Sequence, residues 1–93
     1  MYKLRIPDRI AELVRHMHPH LKRKVKTSLH AILSDPNLGK ALKDELVGLK
    51  SVQVSRFRII YRVIKKKEIE IIAIGPRQRI YEETFRIVKT KKT

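Results

Sequence analysis

Apolar and polar residues alternate along two short stretches in the second half of the chain, residues 57–64 and 69–74. A period of two is typical of a β-strand with one buried face. The lysines at 65–67 lie between the stretches, where a turn keeps their charges hydrated. We therefore predict a β-hairpin. Its second strand is so rich in isoleucine that we expect a central strand, covered on at least one face.

Side chains of a strand point alternately to its two faces, which divides the first stretch into two sets. Ile59, Tyr61 and Val63 share one parity, whereas Arg58 and Arg62 share the other. We therefore expect the three apolar side chains to be buried beneath helices. The two arginines should face away from those helices.

The first half of the chain has the pattern of a short strand followed by two amphipathic helices. Residues 2–6 alternate apolar and basic side chains, which predicts the strand. Asp8 is placed to cap a first helix, which ends before Pro19 because a proline disfavours helical geometry in the preceding residue. A second helix is predicted over residues 19–33. Residues 38–47 are predicted to form a turn of helix and a loop.

Three further segments complete the predicted order. Residues 51–55 should form another strand, residues 81–88 a short helix, and residues 89–93 a flexible basic tail. The order β-α-α-β-β-β-α indicates one α+β domain over residues 1–93. We expect its helices to pack on one face of a mostly antiparallel sheet.

The chain carries a large excess of positive charge: 23 Lys and Arg against 9 Asp and Glu, a formal net charge of +14. Residues 50–93 contribute +9 of it and residues 1–49 contribute +5. Such an excess is typical of proteins that bind polyanions and argues against an enzyme of small metabolites. The alternative is a basic surface that only aids solubility.

Several kinds of site are not expected from this composition. Cysteine is absent, which excludes disulfides, thiolate nucleophiles and thiolate metal ligands. His16, His18 and His20 have no accompanying carboxylate or cysteine ligand pattern, so we expect no metal and no cofactor. The first residues are charged at once, and the longest apolar run covers only residues 71–74, against about 20 residues for a bilayer span. A cytoplasmic protein without a membrane partner is expected.

Arginines concentrate near the predicted hairpin. Arg56, Arg58 and Arg62 are spaced so that a strand would point them to the same side, and Arg77 and Arg79 follow directly after the second strand. A planar guanidinium matches phosphate oxygens in bidentate fashion. The sequence therefore predicts a phosphate-binding surface on the sheet, with RNA as the ligand.

Two motifs resemble those of the RelE/ParE superfamily of toxins. FRIIYR at residues 57–62 is similar to the family's aromatic-Arg-aliphatic-aliphatic-Tyr strand, and GPRQRIY at residues 75–81 is similar to its Arg-x-x-x-Tyr strand end. The resemblance implies the RelE-like fold and the toxin of a type II toxin–antitoxin system. It also implies an endoribonuclease (mRNA interferase) that cleaves translated mRNA in the ribosomal A site by metal-independent attack of the 2′-hydroxyl. The implied partners are a cognate antitoxin protein, the ribosome and mRNA.

The resemblance also implies roles for particular residues. Arg58 would bind the phosphate, Arg77 would be the second active-site arginine, and Tyr81 would lie near the scissile nucleotide. Further RNA contacts are expected from Lys50, Gln53, Arg56 and Arg79.

The chain departs from the family pattern on the strand before the hairpin. Several family members carry basic residues there, at positions that match Ser51 and Gln53, and neither is basic in this chain. Lys50 is one residue out of register, so its side chain should point to the opposite face. The general base is unassigned, with Glu82 and Glu83 as candidates.

Two alternative functions are compatible with the sequence. The first is a ParE-like inhibitor of DNA gyrase without nuclease activity, which the two neutral residues favour. The second is a catalytically weak RNA-binding member of the RelE-like group.

Overall fold

The computed structural model describes residues 2–65 and 67–90. These residues form a five-stranded sheet and three α-helices. In chain order the elements are β1 (Lys3–Arg5), α1 (Asp8–Arg15), α2 (Pro19–Ser34), β2 (Lys40–Ala41), a 3₁₀ turn (Asp44–Leu46), β3 (Lys50–Val54), β4 (Phe57–Lys65), β5 (Glu68–Pro76) and α3 (Ile80–Thr90).

The strands lie in the order β1-β5-β4-β3-β2, and every neighbouring pair is antiparallel except β1 with β5. The mostly antiparallel sheet and the central position of β5 confirm the prediction. The stretch 38–47 differs from it, because Lys40 and Ala41 pair with β3 as an additional edge strand. Two residues are too few to produce an alternating pattern, so this strand could not be predicted from the sequence.

The helical hairpin of α1 and α2 covers one face of the sheet. Its apolar side chains pack against Ile59 and Tyr61 of β4, both of which are fully buried. This part of the predicted buried set is confirmed. Val63 is 42% exposed, so its predicted burial is wrong. Val63 lies near the end of β4, where the strand approaches the turn to β5.

Helix α3 packs on the other face, where Ile80 contacts a second core that includes Ile60, Ile72 and Ala73. The expectation that all helices pack on one face is therefore wrong. A register shift between β4 and β5 brings Ile60 opposite Ala73 and Tyr61 opposite Ile71. Because Ile72 is the additional residue at this shift, it shares the α3 face with Ala73.

Tyr61 anchors the chain that follows α2. Its buried hydroxyl donates a hydrogen bond to the carbonyl of Pro36 at 2.8 Å and accepts one from the amide of Gly39 at 2.9 Å. Burial raises the pKa of Tyr61 above its ordinary value of 10.0, and the negative charge of Asp35 acts in the same direction. Gly39 has no space for a side chain, since a Cβ would lie 2.7 Å from the Tyr61 hydroxyl.

The helix termini differ from the prediction in two places. Pro7 occupies the N-cap position of α1 and no side chain caps it, so Asp8 is the first helical residue rather than the cap. Lys89 lies within α3, so the helix continues into the expected tail, and residues 91–93 lie outside the described part of the chain. None of the helices in residues 2–65 and 67–90 has the length and hydrophobicity of a membrane span.

Candidate nucleic-acid interface

Arg58 lies in the middle of β4, on the face that α3 covers. Its partners across the sheet are Gln53 of β3 and Gly75 of β5. Cross-strand partners share a face, so Ser51, Gln53 and Arg58 point to the same side of the sheet as Ile60. The arginine therefore projects away from the helical hairpin, as its parity in the sequence predicted.

Two side chains of β3 hold the half-buried guanidinium of Arg58. Its Nη1 donates to Oγ of Ser51 at 3.1 Å, and its Nη2 lies 3.5 Å from Oε1 of Gln53. Gln53 is itself oriented, because its Nε2 donates to the carbonyl of Ser55 at 3.2 Å. These contacts restrict the rotamers of Arg58 before any ligand arrives, which lowers the entropic cost of binding.

Tyr81, the second residue of α3, joins the same group of side chains. The guanidinium carbon of Arg58 lies 5.9 Å from the centroid of the Tyr81 ring, within the range of a cation–π contact. The Tyr81 hydroxyl lies 3.4 Å from Oγ of Ser51. The structure thus brings Arg58, Gln53 and Tyr81 together, and Ser51 connects the arginine to the tyrosine.

One donor of this group remains unpaired. Nε of Arg58 is buried and makes no hydrogen bond within the part of the chain that the structure describes. This atom is shielded by its neighbours, so it does not face an external ligand. Nη1 and Nη2 each carry a second N–H beyond their contacts with Ser51 and Gln53, and a guanidinium binds phosphate oxygens with charge-assisted hydrogen bonds from such donors.

Arg56 and Arg77 lie beside this group, at the end of the sheet. The backbone amide of Arg77 donates to the carbonyl of Arg56 at 2.9 Å, which holds the β3–β4 turn next to the end of β5. Both arginines are exposed. They line a pocket of about 410 Å³, which we call the arginine pocket, together with Gln53, Ser55, Pro76 and Gln78.

Two of the predicted RNA-binding residues lie outside this arrangement. Lys50 pairs with Tyr61 across β3 and β4, so its side chain is on the hairpin face, opposite to Arg58. The register argument for its side chain is therefore confirmed, and its contact with RNA stays a prediction. Arg79 is exposed in the turn before α3, where its amide donates to the carbonyl of Pro76 at 3.0 Å.

The two candidate bases are placed differently. Glu82 forms an exposed ion pair with Arg86 at 3.1 Å, one turn along α3. Glu83 points toward the sheet, since its Oε2 lies 3.7 Å from the position that a Cβ on Gly75 would occupy. Gly75 is the cross-strand partner of Arg58. Of the two carboxylates, Glu83 is therefore the one on the side of the arginine.

Sequence reasoning did not assign a role to two residues of this site. Ser51 is 3% exposed and contacts both Arg58 and Tyr81, but a serine in a strand has no distinctive pattern. Lys40 is the cross-strand partner of Ser51 on β2, so it brings a cation to the face that carries Arg58. Lys40 can be recognised only from the pairing of β2 with β3, and β2 was not predicted.

The arrangement can bind and polarise a phosphodiester. Arginine donors, a tyrosine hydroxyl and a carboxylate lie on one face, and a phosphoryl transfer uses groups of these three kinds. The structure brings no three His, Asp or Glu side chains of the described residues close enough to hold a metal ion.

Comparison with known families identifies the chain. A sequence model of the ParE toxin of type II toxin-antitoxin systems (parDE) matches residues 4–81. The chain belongs to the ParE toxin family. This ParE-family toxin is thus a member of the RelE/ParE superfamily, as its two motifs predicted. The match includes Arg58, Arg77 and Tyr81, whereas a comparison with curated proteins gives no significant match.

Solved structures share the fold of this ParE-family toxin. An arginine double mutant of the Escherichia coli toxin RelE in the free state has a TM-score of 0.76 at 18% identity, over 99% of this chain and 98% of that one. RelBE2 of Mycobacterium tuberculosis, a toxin–antitoxin complex, gives 0.70 at 22% identity, over 82% and 98%. The RelE–RelB complex of Pyrococcus horikoshii gives 0.68 at 22% identity, over 84% and 97%. At these identities the likeness establishes the RelE fold.

Proposed function

We propose that this ParE-family toxin is an mRNA endonuclease that cleaves translated mRNA in the ribosomal A site. The observation that supports this function best is the half-buried Arg58, held by Ser51 and Gln53 beneath the ring of Tyr81. A guanidinium held in this way, with a second N–H on each Nη, suits the charge that develops on a phosphate during strand cleavage.

The proposed reaction is an in-line attack of the RNA on itself. The 2′-oxygen forms a bond to phosphorus while the bond from phosphorus to the 5′-oxygen breaks, leaving a 2′,3′-cyclic phosphate. The 2′-hydroxyl proton passes to a base, and the departing 5′-oxygen receives a proton. Arg58 stabilises the negative charge on the non-bridging oxygens, and Arg77 binds the same phosphate or its neighbour.

The remaining roles follow from position on the α3 face. Glu83 accepts the 2′-hydroxyl proton, because it is the carboxylate directed toward Gly75. Lys40 supplies the cation that β3 lacks at Ser51 and Gln53. The ribosome aligns the RNA for in-line attack, and such positioning contributes a large share of the rate enhancement. A ribosomal target would locate this action in the cytoplasm.

A protein antitoxin completes the proposed function. Two of the solved relatives are complexes of a toxin with its antitoxin, which supports a partner of the same kind for this chain. The antitoxin would cover the face that carries Arg58 and compete with RNA. The net charge of +14 favours an acidic segment, since complementary charge accelerates association and selects the partner.

The second candidate function is inhibition of DNA gyrase. The family model that matches the chain is that of ParE, and Ser51 and Gln53 are neutral at positions that match basic residues in several members of the superfamily. A third possibility, a catalytically weak RNA-binding protein, would retain ribosome binding without cleavage.

One experiment separates these functions. The purified toxin is added to a bacterial translation extract, the message is mapped by primer extension, and gyrase supercoiling is measured in parallel. The proposed function predicts cuts within codons of translated messages and unimpaired supercoiling. Intact messages with inhibited supercoiling would instead support the gyrase inhibitor. Ribosome binding without cuts would support the weak RNA-binding protein.

A further inference from the structure

A second pocket adjoins the arginine pocket at the β3–β4 turn. It has a volume of about 390 Å³ and is lined by Arg23, Lys24, Thr27, Ser28, Val54 and Ser55. We call it the helix pocket, because four of these residues belong to α2. Ser55 lines both pockets, so the two surfaces meet at the tip of the turn.

The charges of the two pockets have one sign. Four cations line them, Arg56 and Arg77 on one side and Arg23 and Lys24 on the other, and no Asp or Glu lines either. The ion pairs found among residues 2–65 and 67–90 involve other cations, such as Arg62 with Glu70. The four cations are exposed and bind no carboxylate within the described chain, so they are available to an external polyanion.

The connection at the turn has a tight backbone. Only two residues, Ser55 and Arg56, separate β3 from β4, and Ser55 has a φ of 57°. A positive φ at a central residue is usual in two-residue β-hairpin turns. The short turn keeps the end of the sheet narrow between the two pockets, which lets one extended chain pass over it.

We propose that the RNA strand bound at Arg58 continues over the β3–β4 turn and occupies the helix pocket, where Arg23 and Lys24 bind its phosphates. This inference rests on the proposed function for the identity of the polyanion. We call the path from Arg58 over the turn to the helix pocket the track. A single strand fits it better than a duplex, because the track bends from one face of the sheet around its end to α2. Phosphate contacts of this kind add affinity without sequence preference.

Binding of short and long RNA strands tests the track. The full-length toxin is titrated with 2′-O-methyl RNA of 4 and of 12 nucleotides, which lacks the attacking hydroxyl and remains intact. The double variant Arg23→Ser, Lys24→Ser should bind the 12-mer about tenfold more weakly or worse, while the 4-mer changes less than about twofold. For two lost phosphate contacts, the slope of log affinity against log salt should become shallower by about 1.4.

A matched control removes two charges at the far end of the sheet. Lys3 and Lys65 are exposed and flank the β4–β5 turn, away from both pockets. Lys3→Ser with Lys65→Ser should leave the affinity for both strands within about twofold. Equal weakening by both double variants, or weakening of the 4-mer and the 12-mer to the same extent, would overturn the track.

The two proposals can fail separately. Because these RNAs are not cleaved, the binding result is independent of catalysis. If the toxin binds the 12-mer through Arg23 and Lys24 but cuts no message, the proposal of the track stands and the proposed function is refuted. If the wild-type toxin cuts messages but the Arg23→Ser, Lys24→Ser variant binds both strands with unchanged affinity, only the proposal of the track is refuted.

Discussion

Arg58 and Ser51 form a hydrogen bond across β3 and β4, with Nη1 of the arginine 3.1 Å from the serine Oγ. Ser51 is 3% exposed, so the bond is shielded from water. The serine hydroxyl also lies 3.4 Å from that of Tyr81. A neutral residue therefore positions the arginine at a place where the superfamily resemblance led us to look for a cation.

We expect Ser51→Ala to reduce mRNA cleavage about tenfold, because a hydrogen bond to a charged group contributes on the order of 1.5–3 kcal/mol and part of it is regained from water. The measurement is the single-turnover rate on programmed ribosomes. In an Arg58→Ala background the same substitution should have little further effect, as a double-mutant cycle reveals. Additive losses would mean that Ser51 acts independently of Arg58. Ser34→Ala, at the exposed end of α2, is the control.

Lys40→Ala should lower cleavage by about tenfold or more, since Lys40 is paired with Ser51 and brings a positive charge to the face of Arg58. Lys43→Ala removes the same charge from an exposed position three residues along the chain and should change the rate less than about twofold. A similar rate for the two variants would remove Lys40 from the site.

Glu83→Gln should reduce cleavage about 10²-fold, the usual scale for a general base. Glu82→Gln is the matched control, because its carboxylate pairs with Arg86 instead. A rate in Glu83→Gln close to that of Glu82→Gln would assign the base to another group.

Tyr61→Phe should destabilise the fold by about 1–3 kcal/mol, because it leaves the carbonyl of Pro36 and the amide of Gly39 without the buried hydroxyl. The pKa of Tyr61 is raised in the folded state by burial. Its contribution to stability is therefore complete below about pH 10 and is lost as the pH rises through the raised pKa. Urea denaturation between pH 8 and 11 should show a steeper alkaline decline for the wild type than for Tyr61→Phe. Parallel declines would contradict this account.

Much of the fold was predictable because its long elements have strong periodicity. The parity of Ile59 and Tyr61 against Arg58 identified the hairpin face correctly. The unbroken run of apolar residues at 71–74 is typical of a strand buried on both faces. We predicted helices on only one face because we did not take this run into account. The two-residue strand β2 could not be predicted, since it forms only through its pairing with β3.

The site was predictable in part for a different reason. Arg58 and Tyr81 were identified by motif, and the structure brings their side chains together. Ser51 and Lys40 were not identified, because their positions depend on cross-strand register rather than on residue type. Lys50 is the opposite case: its residue type suits phosphate binding, but its position in the strand is shifted by one residue, so its side chain lies on the face opposite to Arg58.

Arg58 and Arg62 provide the most direct test of the central claim, because they lie on the same strand and differ in their partners. Arg58 contacts Ser51 and Tyr81, whereas Nε of Arg62 donates to Glu70 at 2.8 Å, farther toward the β4–β5 turn. Removing Arg62 should lower the free energy of unfolding by about 1 kcal/mol through loss of this ion pair. Its effect on catalysis should be small.

The measurement is the rate of mRNA cleavage on programmed ribosomes, with folding of each variant verified by thermal denaturation. We predict that Arg58→Ala lowers the rate by about 10²-fold or more, the usual scale for losing a donor to the transition state, while Arg62→Ala lowers it less than about threefold. Equal losses in the two variants would show that only the overall positive charge matters, and would contradict the site described around Arg58.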